Sequence, residues 1–172
     1  MELLVQKAMK KDAEAFTALM RGQMQNMYKT ARALLHSDED IADAIQDTIL
    51  TCWEKLSQLQ EPKYFRTWMT RILINKCNDI LRKQQKFVLV EDMPDTPTDD
   101  LGFANLEWEQ ILMRLKPRDR IVVILYYVEG FKTSEIAQML DIPESTVRGS
   151  LARSRSKLAT EYYPEIKEEK SV

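Results

Sequence analysis

The stretch Lys132-Thr133-Ser134-Glu135-Ile136-Ala137-Gln138-Met139-Leu140-Asp141-Ile142-Pro143-Glu144-Ser145-Thr146-Val147-Arg148-Gly149-Ser150-Leu151-Ala152-Arg153-Ser154-Arg155-Ser156-Lys157-Leu158 decides the fold. Its first part puts Ile136, Ala137 and Leu140 on one helical face, and a tight polar turn follows. Its second part carries Val147, Leu151, Ser154 and Leu158 on an inner face, at spacings of four, three and four. Two short helices joined by about four residues predict a helix-turn-helix, whose second helix enters the DNA major groove.

The outward face of that second helix suits the task. At about 100° per residue, the side opposite Val147 and Leu151 shows Ser145, Gly149, Ala152, Arg153 and Ser156. Thr146 stands beside Ser145 at the helix start. Arg148 and Arg155 flank one edge and Lys157 the other. Small residues let the backbone approach the bases, and arginines fork onto guanine or hold phosphate. A mid-helix glycine costs about 1 kcal/mol against alanine, so Gly149 reads as clearance for a close DNA contact.

Towards the N-terminus, Leu106, Trp108, Ile111, Leu112 and Leu115 predict a helix that ends before Pro117. The run Arg118 to Glu129 is rich in Ile, Val and Tyr, which favour strand by propensity. Gly130 as a C-terminal cap and the helical neighbours instead predict helix there. Residues 87–105 hold Pro94, Pro97 and the acids Glu91, Asp92, Asp95, Asp99 and Asp100, the composition of an extended, self-repelling tether. The expected organisation is therefore all-α: a helical domain over 1–86, an acidic flexible linker over 87–105, a second small helical domain over 106–160 and a charged tail over 161–172.

Within the first domain, Pro62 breaks the chain, Tyr64-Phe65-Arg66-Thr67-Trp68-Met69 follows, and then a long helix is expected to about Gln85. From Lys63 to Lys86 there are seven basic residues (63, 66, 71, 76, 82, 83 and 86) against the single acid Asp79. That charge, with the amides of Asn75 and Asn78 and nearby aromatics, suits single-stranded DNA, whose backbone follows charge and whose unstacked bases need flat surfaces or pockets. Phe65, Trp68, Met69 and Ile72 recur at helical spacing and read mostly as core. Before this helix, Ser37-Asp38-Glu39-Asp40 predicts a helix start with acids at the positive end. Its buried stripe is expected to be Ile41, Ala42, Ile45, Ile49, Cys52, Trp53 and Leu56. Its other face shows Asp43, Gln46, Asp47, Thr51 and Glu54, either a solvated surface or a dock for a basic protein. Residues 1–36 read as helical scaffold, with Asp12 capping a helix start near Ala13.

The chain has 172 residues, 44% hydrophobic and 30% charged, and a net charge of −2. A uniformly basic nucleic-acid coat is excluded, so any DNA contact depends on how charge is distributed. Cys52 and Cys77 form no CxxC, and His36 is the only histidine, so no metal site is expected. Four glycines, no phosphate loop and no GxSxG argue against an enzyme, a cofactor or a small-molecule substrate. The longest apolar run, Ile121 to Val128, is eight residues, far short of a membrane span. With no apolar signal core at the N-terminus, a cytoplasmic location is expected.

Three segments in this order resemble one family. Asp40-Ile41-Ala42-Asp43-Ala44-Ile45-Gln46-Asp47-Thr48-Ile49-Leu50-Thr51-Cys52-Trp53 is similar to the polymerase-binding helix of extracytoplasmic-function (ECF) sigma factors, the small class of bacterial RNA polymerase sigma subunits. Phe65-Arg66-Thr67-Trp68-Met69-Thr70-Arg71-Ile72-Leu73-Ile74-Asn75, with Asp79 and Arg82, resembles their −10 recognition segment. The Lys132–Leu158 unit resembles their −35-reading helix-turn-helix.

The resemblance implies that Asp40, Asp43, Gln46, Asp47, Thr51 and Glu54 meet bacterial core RNA polymerase. It implies that Asn75 and the loop Leu59-Gln60-Glu61-Pro62-Lys63 line a pocket for a flipped base of the −10 element. Arg71, Lys76, Asn78 and Arg82 would sit beside that pocket. On duplex −35 DNA it implies contacts from Ser145, Thr146, Arg148, Gly149, Ala152, Arg153 and Arg155, with Arg148 and Arg153 the principal ones. It also implies an anti-sigma factor, often membrane-anchored, as an inhibitory partner. The run Ile72–Asp79 is further similar to a Gram-positive subgroup that answers cell-envelope stress. One departure stands out: the family often has Thr-Val-Lys/Arg-Ser-Arg where this chain has Thr146-Val147-Arg148-Gly149-Ser150, so a hydroxyl and an arginine are missing. A stand-alone operator-binding regulator explains the C-terminal half but leaves Trp53, Trp68 and Asn75 without a role. A helical adaptor for protein partners needs no DNA dependence at all.

Overall fold

The computed structural model describes the backbone of residues 1–88 and 112–162, with side chains for 1–84 and 112–159. Within these residues every regular element is helical. The chain divides into two compact units, Met1–Gly102 and Phe103–Val172.

The first unit opens with α1 (Glu2–Met9) and α2 (Ala13–Arg32). Asp12 separates them, its carboxylate accepting from the Ala15 N–H at 3.0 Å, as expected for an N-cap. The preceding Lys11 takes a positive φ of 67° to make the turn, and its ammonium donates to the Trp53 carbonyl at 2.8 Å. α3 (Asp38–Lys55) starts at Ser37, whose hydroxyl accepts from the Asp40 N–H. Arg32, almost fully buried, joins the two helices by bonding the His36 carbonyl and Asp38. Two 3₁₀ turns, Leu56–Gln58 and Pro62–Tyr64, carry the chain into α4 (Phe65–Val88). α4 runs two residues past the expected linker start at 87; the rest of that linker, from 89, lies outside the described residues, as does the tail from 163.

The core between these helices is apolar: Val5, Phe16, Met27, Leu35, Ile41, Cys52, Leu56, Phe65, Met69 and Leu73 are all buried. Each large side chain there contributes roughly 1.5–3 kcal/mol by leaving water. The Phe16 and Trp53 rings tilt together at 5.0 Å between centroids. Phe65 and Met69 are core as expected, while Trp68 and Ile72 are half-buried and pack against it. Cys52 and Cys77 are fully buried, and burial pushes both thiols up to about 12.

The buried stripe of α3 differs from the expected one. Ala44 and Thr48 fill the core, Ala42 is exposed and Ile49 is half-buried. Thr48 is accommodated because its hydroxyl donates to the Ala44 carbonyl at 2.6 Å, one turn back.

In the second unit α5 (Pro117–Val123) begins with proline at its first position and runs on as a π-helical turn, Ile124–Val128. The helix expected over 118–129 is therefore present against strand propensity, with a wider last turn. The Glu129 N–H reaches back five residues to Ile124 at 3.0 Å, and Gly130, at φ 72°, ends the element. Arg120 is buried and donates to the carbonyls of Leu112, Met113 and Leu115, tying α5 to the segment before it. Burial lowers its pKa, but a guanidinium remains charged. α6 (Thr133–Leu140) and α7 (Glu144–Tyr162) follow. Asp141 between them takes the left-handed conformation, φ 53°. Of the helix expected before Pro117, Leu112 and Leu115 are buried, and Leu106, Trp108 and Ile111 lie outside the described residues.

Candidate nucleic-acid interface

α6 and α7 pack through Ile136, Met139, Val147 and Leu151, all buried. Met139 rather than Leu140 faces inward; Leu140, Ala137 and Leu158 are half-buried. Ser150 and Ser154 are also on the inner side, both almost fully buried. The turn is held by Glu144. Its carboxylate accepts from the Thr133 hydroxyl at 2.6 Å and from Arg148 at 2.8 Å, so it ties the starts of both helices together. These two bonds, the Thr133 one first, lower the Glu144 pKa.

The residues expected to face DNA do lie on one side of α7. Ser145, Arg148, Ala152, Arg153 and Arg155 are exposed, and Thr146 and Gly149 are intermediate. The two main arginines are already engaged: Arg148 with Glu144, and Arg153 with Asp119 of α5 at 3.0 Å. A Cβ added to Gly149 would stand 3.4 Å from the Arg153 Nη1, so the glycine lies directly beneath that side chain.

On α4, Arg71, Asn75, Asn78 and Arg82 recur at spacings of four, three and four, which places them on one face. Asn75, Arg71 and Arg82 are exposed and Asn78 is half-buried. Arg82 pairs with Asp79 at 3.1 Å, one turn back. Gln60 and Lys63 of the preceding loop are exposed, and the Lys63 ammonium lies 4.9 Å over the Tyr64 ring. Leu59 differs from its neighbours: its side chain is buried in the core and anchors the loop from inside.

On α3, Asp43, Gln46, Asp47 and Glu54 are exposed. Asp40 and Asp47 turn partly towards α4. Asp40 accepts from Gln84 at 2.7 Å, and Asp47 lies 3.9 Å from Lys76. Thr51 spends its hydroxyl on the Asp47 carbonyl. Sequence reasoning missed the surface beside these acids. A groove of about 440 Å³ between α2 and α3 is lined by Met24, Tyr28, Ile41, Ala42, Ile45, Gln46, Ile49, Leu50 and Asp38. Leu50 is 54% exposed and Met24 41%. The signal was present, because the apolar residues of α3, from Ala44 round to Leu50, span an arc of about 240° (100° per residue), wider than one packed face needs.

Among the described residues no cluster of His, Cys, Asp or Glu could hold a metal ion, and no helix is long and apolar enough to cross a membrane.

Comparison with known proteins adds two family matches. Residues 19–87 match sigma-70 region 2, and residues 105–158 match sigma-70 region 4. The RNA polymerase sigma factor NccH of Alcaligenes xylosoxydans xylosoxydans is 30% identical over 172 residues, covering 91% of each chain. The ECF RNA polymerase sigma factor SigM of Mycobacterium tuberculosis is 29% identical over 157 residues, covering 86% of this chain and 77% of that one. Among solved structures, CnrH in complex with the cytosolic domain of CnrY matches 95% of this chain and 97% of its own, with a TM-score of 0.68 at 24% identity. RpoE of Bartonella quintana, solved with the anti-sigma factor NepR, matches 86% and 96%, with a TM-score of 0.70 at 20% identity.

Proposed function

The chain belongs to the extracytoplasmic-function sigma factors of bacterial RNA polymerase, and from that premise we propose how its surfaces divide the work. As such a factor it directs core RNA polymerase to particular promoters and performs no chemistry of its own. The domain over 1–86 takes the polymerase and the −10 element. The domain over 106–160 takes the −35 element, and the acidic segment over 87–105 tethers them.

The observation that carries this reading is that the described surfaces offer two unlike nucleic-acid faces. α7 presents small residues and fixed arginines, which suit a duplex groove read by hydrogen bonds. α4 presents amides and cations next to a loop, which suit an unstacked base and its phosphates. Asn75, Gln60 and Lys63 border the base pocket, with Leu59 holding the loop in register; Arg71, Lys76, Asn78 and Arg82 follow the strand. Arg148 and Arg153 make the principal upstream contacts, aided by Ser145, Thr146, Gly149, Ala152 and Arg155. Binding a flipped non-template base in the pocket bordered by Asn75 stabilises the melted promoter, after which the polymerase makes RNA.

The polymerase surface is the groove between α2 and α3, with Asp38 and Gln46 in its lining, together with the acidic face of α3. Its apolar floor supplies burial, and Asp40, Asp43, Gln46, Asp47, Thr51 and Glu54 select a basic partner and its register. A helix from the polymerase clamp fits a groove of this kind. CnrH and RpoE were each solved with a second protein, and by that likeness an anti-sigma factor would hold this chain inactive in the cytoplasm; the family resemblance makes a membrane-anchored one the expected kind. The resemblance of Ile72–Asp79 makes cell-envelope stress the first inducing signal to test.

Run-off transcription with purified core polymerase on fragmented genomic DNA tests the whole reading. New discrete transcripts that depend on this chain are expected. Stable binding to duplex fragments without polymerase, and no transcripts, would instead favour a stand-alone regulator. For the groove, Leu50→Asp should weaken core binding about tenfold or more, since it places a charge against apolar surface; Asp47→Arg should weaken it less, as a rim charge does. Equal affinity for both variants and the parent would remove α3 from the interface.

A further inference from the structure

We propose that Asp119 is the positioning residue that sets how α7 reads the upstream element, acting through Arg153. The inference rests on the reading of α7 as the −35 helix and assigns a role to a residue on a different helix. Asp119 lies on α5, 34 positions from Arg153, and its side chain is only 14% exposed. Its Oδ1 accepts from the Arg153 Nη2 at 3.0 Å and from the Ser150 hydroxyl. Ser150 is fully buried, so one carboxylate oxygen links the inside of the recognition helix to its outside.

Gly149 completes the arrangement. Arg153 lies back over the preceding turn, and a Cβ at 149 would already touch its Nη1 at 3.4 Å. A larger side chain there would push the guanidinium away. The two departures from the family's usual run both stand at this geometry. Glycine at 149 leaves room for Arg153, and the short serine at 150 leaves Asp119 a bond to give it.

The physical effect follows from the shape of arginine. Its guanidinium is a planar fork of five donors, and bidentate recognition of a base edge needs that fork held in one plane. Arg153 is 62% exposed, so without Asp119 the side chain would sample many rotamers. Asp119 fixes one edge of the fork and leaves other donors for DNA. The carboxylate also repels nearby phosphate, which weakens binding to unrelated DNA. Asp119 therefore favours base reading over indiscriminate phosphate binding, and its removal should move the two in opposite directions.

The test uses holoenzyme assembled from the full chain and core polymerase, on a promoter fragment from the run-off experiment and a series substituted through its upstream element. Asp119→Asn should lose about tenfold in discrimination at the base that Arg153 reads, while affinity for unrelated DNA rises a few-fold at low salt. Gly149→Val, on the outward face, should lose the same discrimination without that rise. In an Arg153→Ala background, Asp119→Asn should cost no further discrimination. A uniform fall for every sequence, or a discrimination loss that persists without Arg153, overturns the inference. If Arg153→Ala lowers discrimination and Asp119→Asn does not, the positioning role alone is lost. If Arg153→Ala leaves discrimination intact, the upstream role of Arg153 falls, and this inference with it.

Discussion

α4 and α7 both present cations to solvent, yet they are held in different ways. α4 rests on a broad apolar core, with Phe65, Met69, Leu73 and Cys77 all buried beneath its outer face. Its outward groups are tied by exposed pairs, Arg82 with Asp79 on α4 itself and, more loosely, Lys76 with Asp47 of α3 at 3.9 Å. α7 has fewer buried apolar positions, chiefly Val147 and Leu151, and its outward arginines are bonded to acids on α7 and on α5. The contrast shows two ways to prepare a protein surface for DNA. A platform that must accept a flexible, unstacked strand needs a firm base and adaptable groups on top. A helix that must match a duplex edge needs its forks aimed beforehand.

That contrast can be broken most forcefully from below. Phe65→Ala should destabilise the first unit by about 3–5 kcal/mol through lost burial and a residual cavity. Urea unfolding followed by Trp53 and Trp68 fluorescence would measure it, and a cost under 1 kcal/mol would mean that α4 does not depend on its core as described. Arg153→Ala comes next, at about 1–3 kcal/mol on the upstream element if it contacts a base. A uniform loss across sequences would make it a phosphate contact and would liken α7 to α4. Asn75→Ala should reduce open-complex formation by about 1 kcal/mol, one hydrogen bond, while core binding stays intact. Permanganate footprinting reads the melted strand, and unchanged reactivity would count against the base pocket.

The smallest effect concerns the turn between α6 and α7. Glu144 has a pKa below its ordinary 4.5, because the Thr133 hydroxyl and Arg148 bond its charged form. A depressed carboxylate contributes stability above its unfolded pKa and loses it as pH falls through the folded value. The acid limb of the unfolding curve, below the ordinary carboxylate range, should therefore be shallower in Glu144→Gln than in the parent. Matching limbs would leave the Thr133 and Arg148 bonds without a stabilising part.

Local signals were legible in the chain, and long-range ones were not. Asp12, Ser37 and Gly130 announce helix ends by chemistry that acts within a few residues, and each ends or starts a helix as expected. The all-α architecture follows from such signals and from apolar spacing. The π turn at Ile124–Val128 escapes them, since its five-residue bond follows no local rule. The Arg153–Asp119 pair spans 34 positions and two helices, so no motif predicts it. The burial of Leu59, and the exchange of Ala42 for Ala44 in the core, depend on which side of an element its neighbours cover. For α3, the apolar arc was wide enough to serve both a core and a groove, and periodicity alone did not say where one ended.

The two buried thiols have a practical consequence. Cys52 and Cys77 are sealed in the core, out of reach of maleimides and mild oxidants, and burial, which pushes both thiols up to about 12, disfavours the reactive thiolate. The natural chain is already, in effect, cysteine-free on its described surface. A single cysteine placed at exposed Gln58 or Gln138, outside the residues proposed to touch DNA, can take a fluorescent dye with both native thiols left in place. Promoter melting and upstream docking can then be timed separately, in one tube, by the colour of each label.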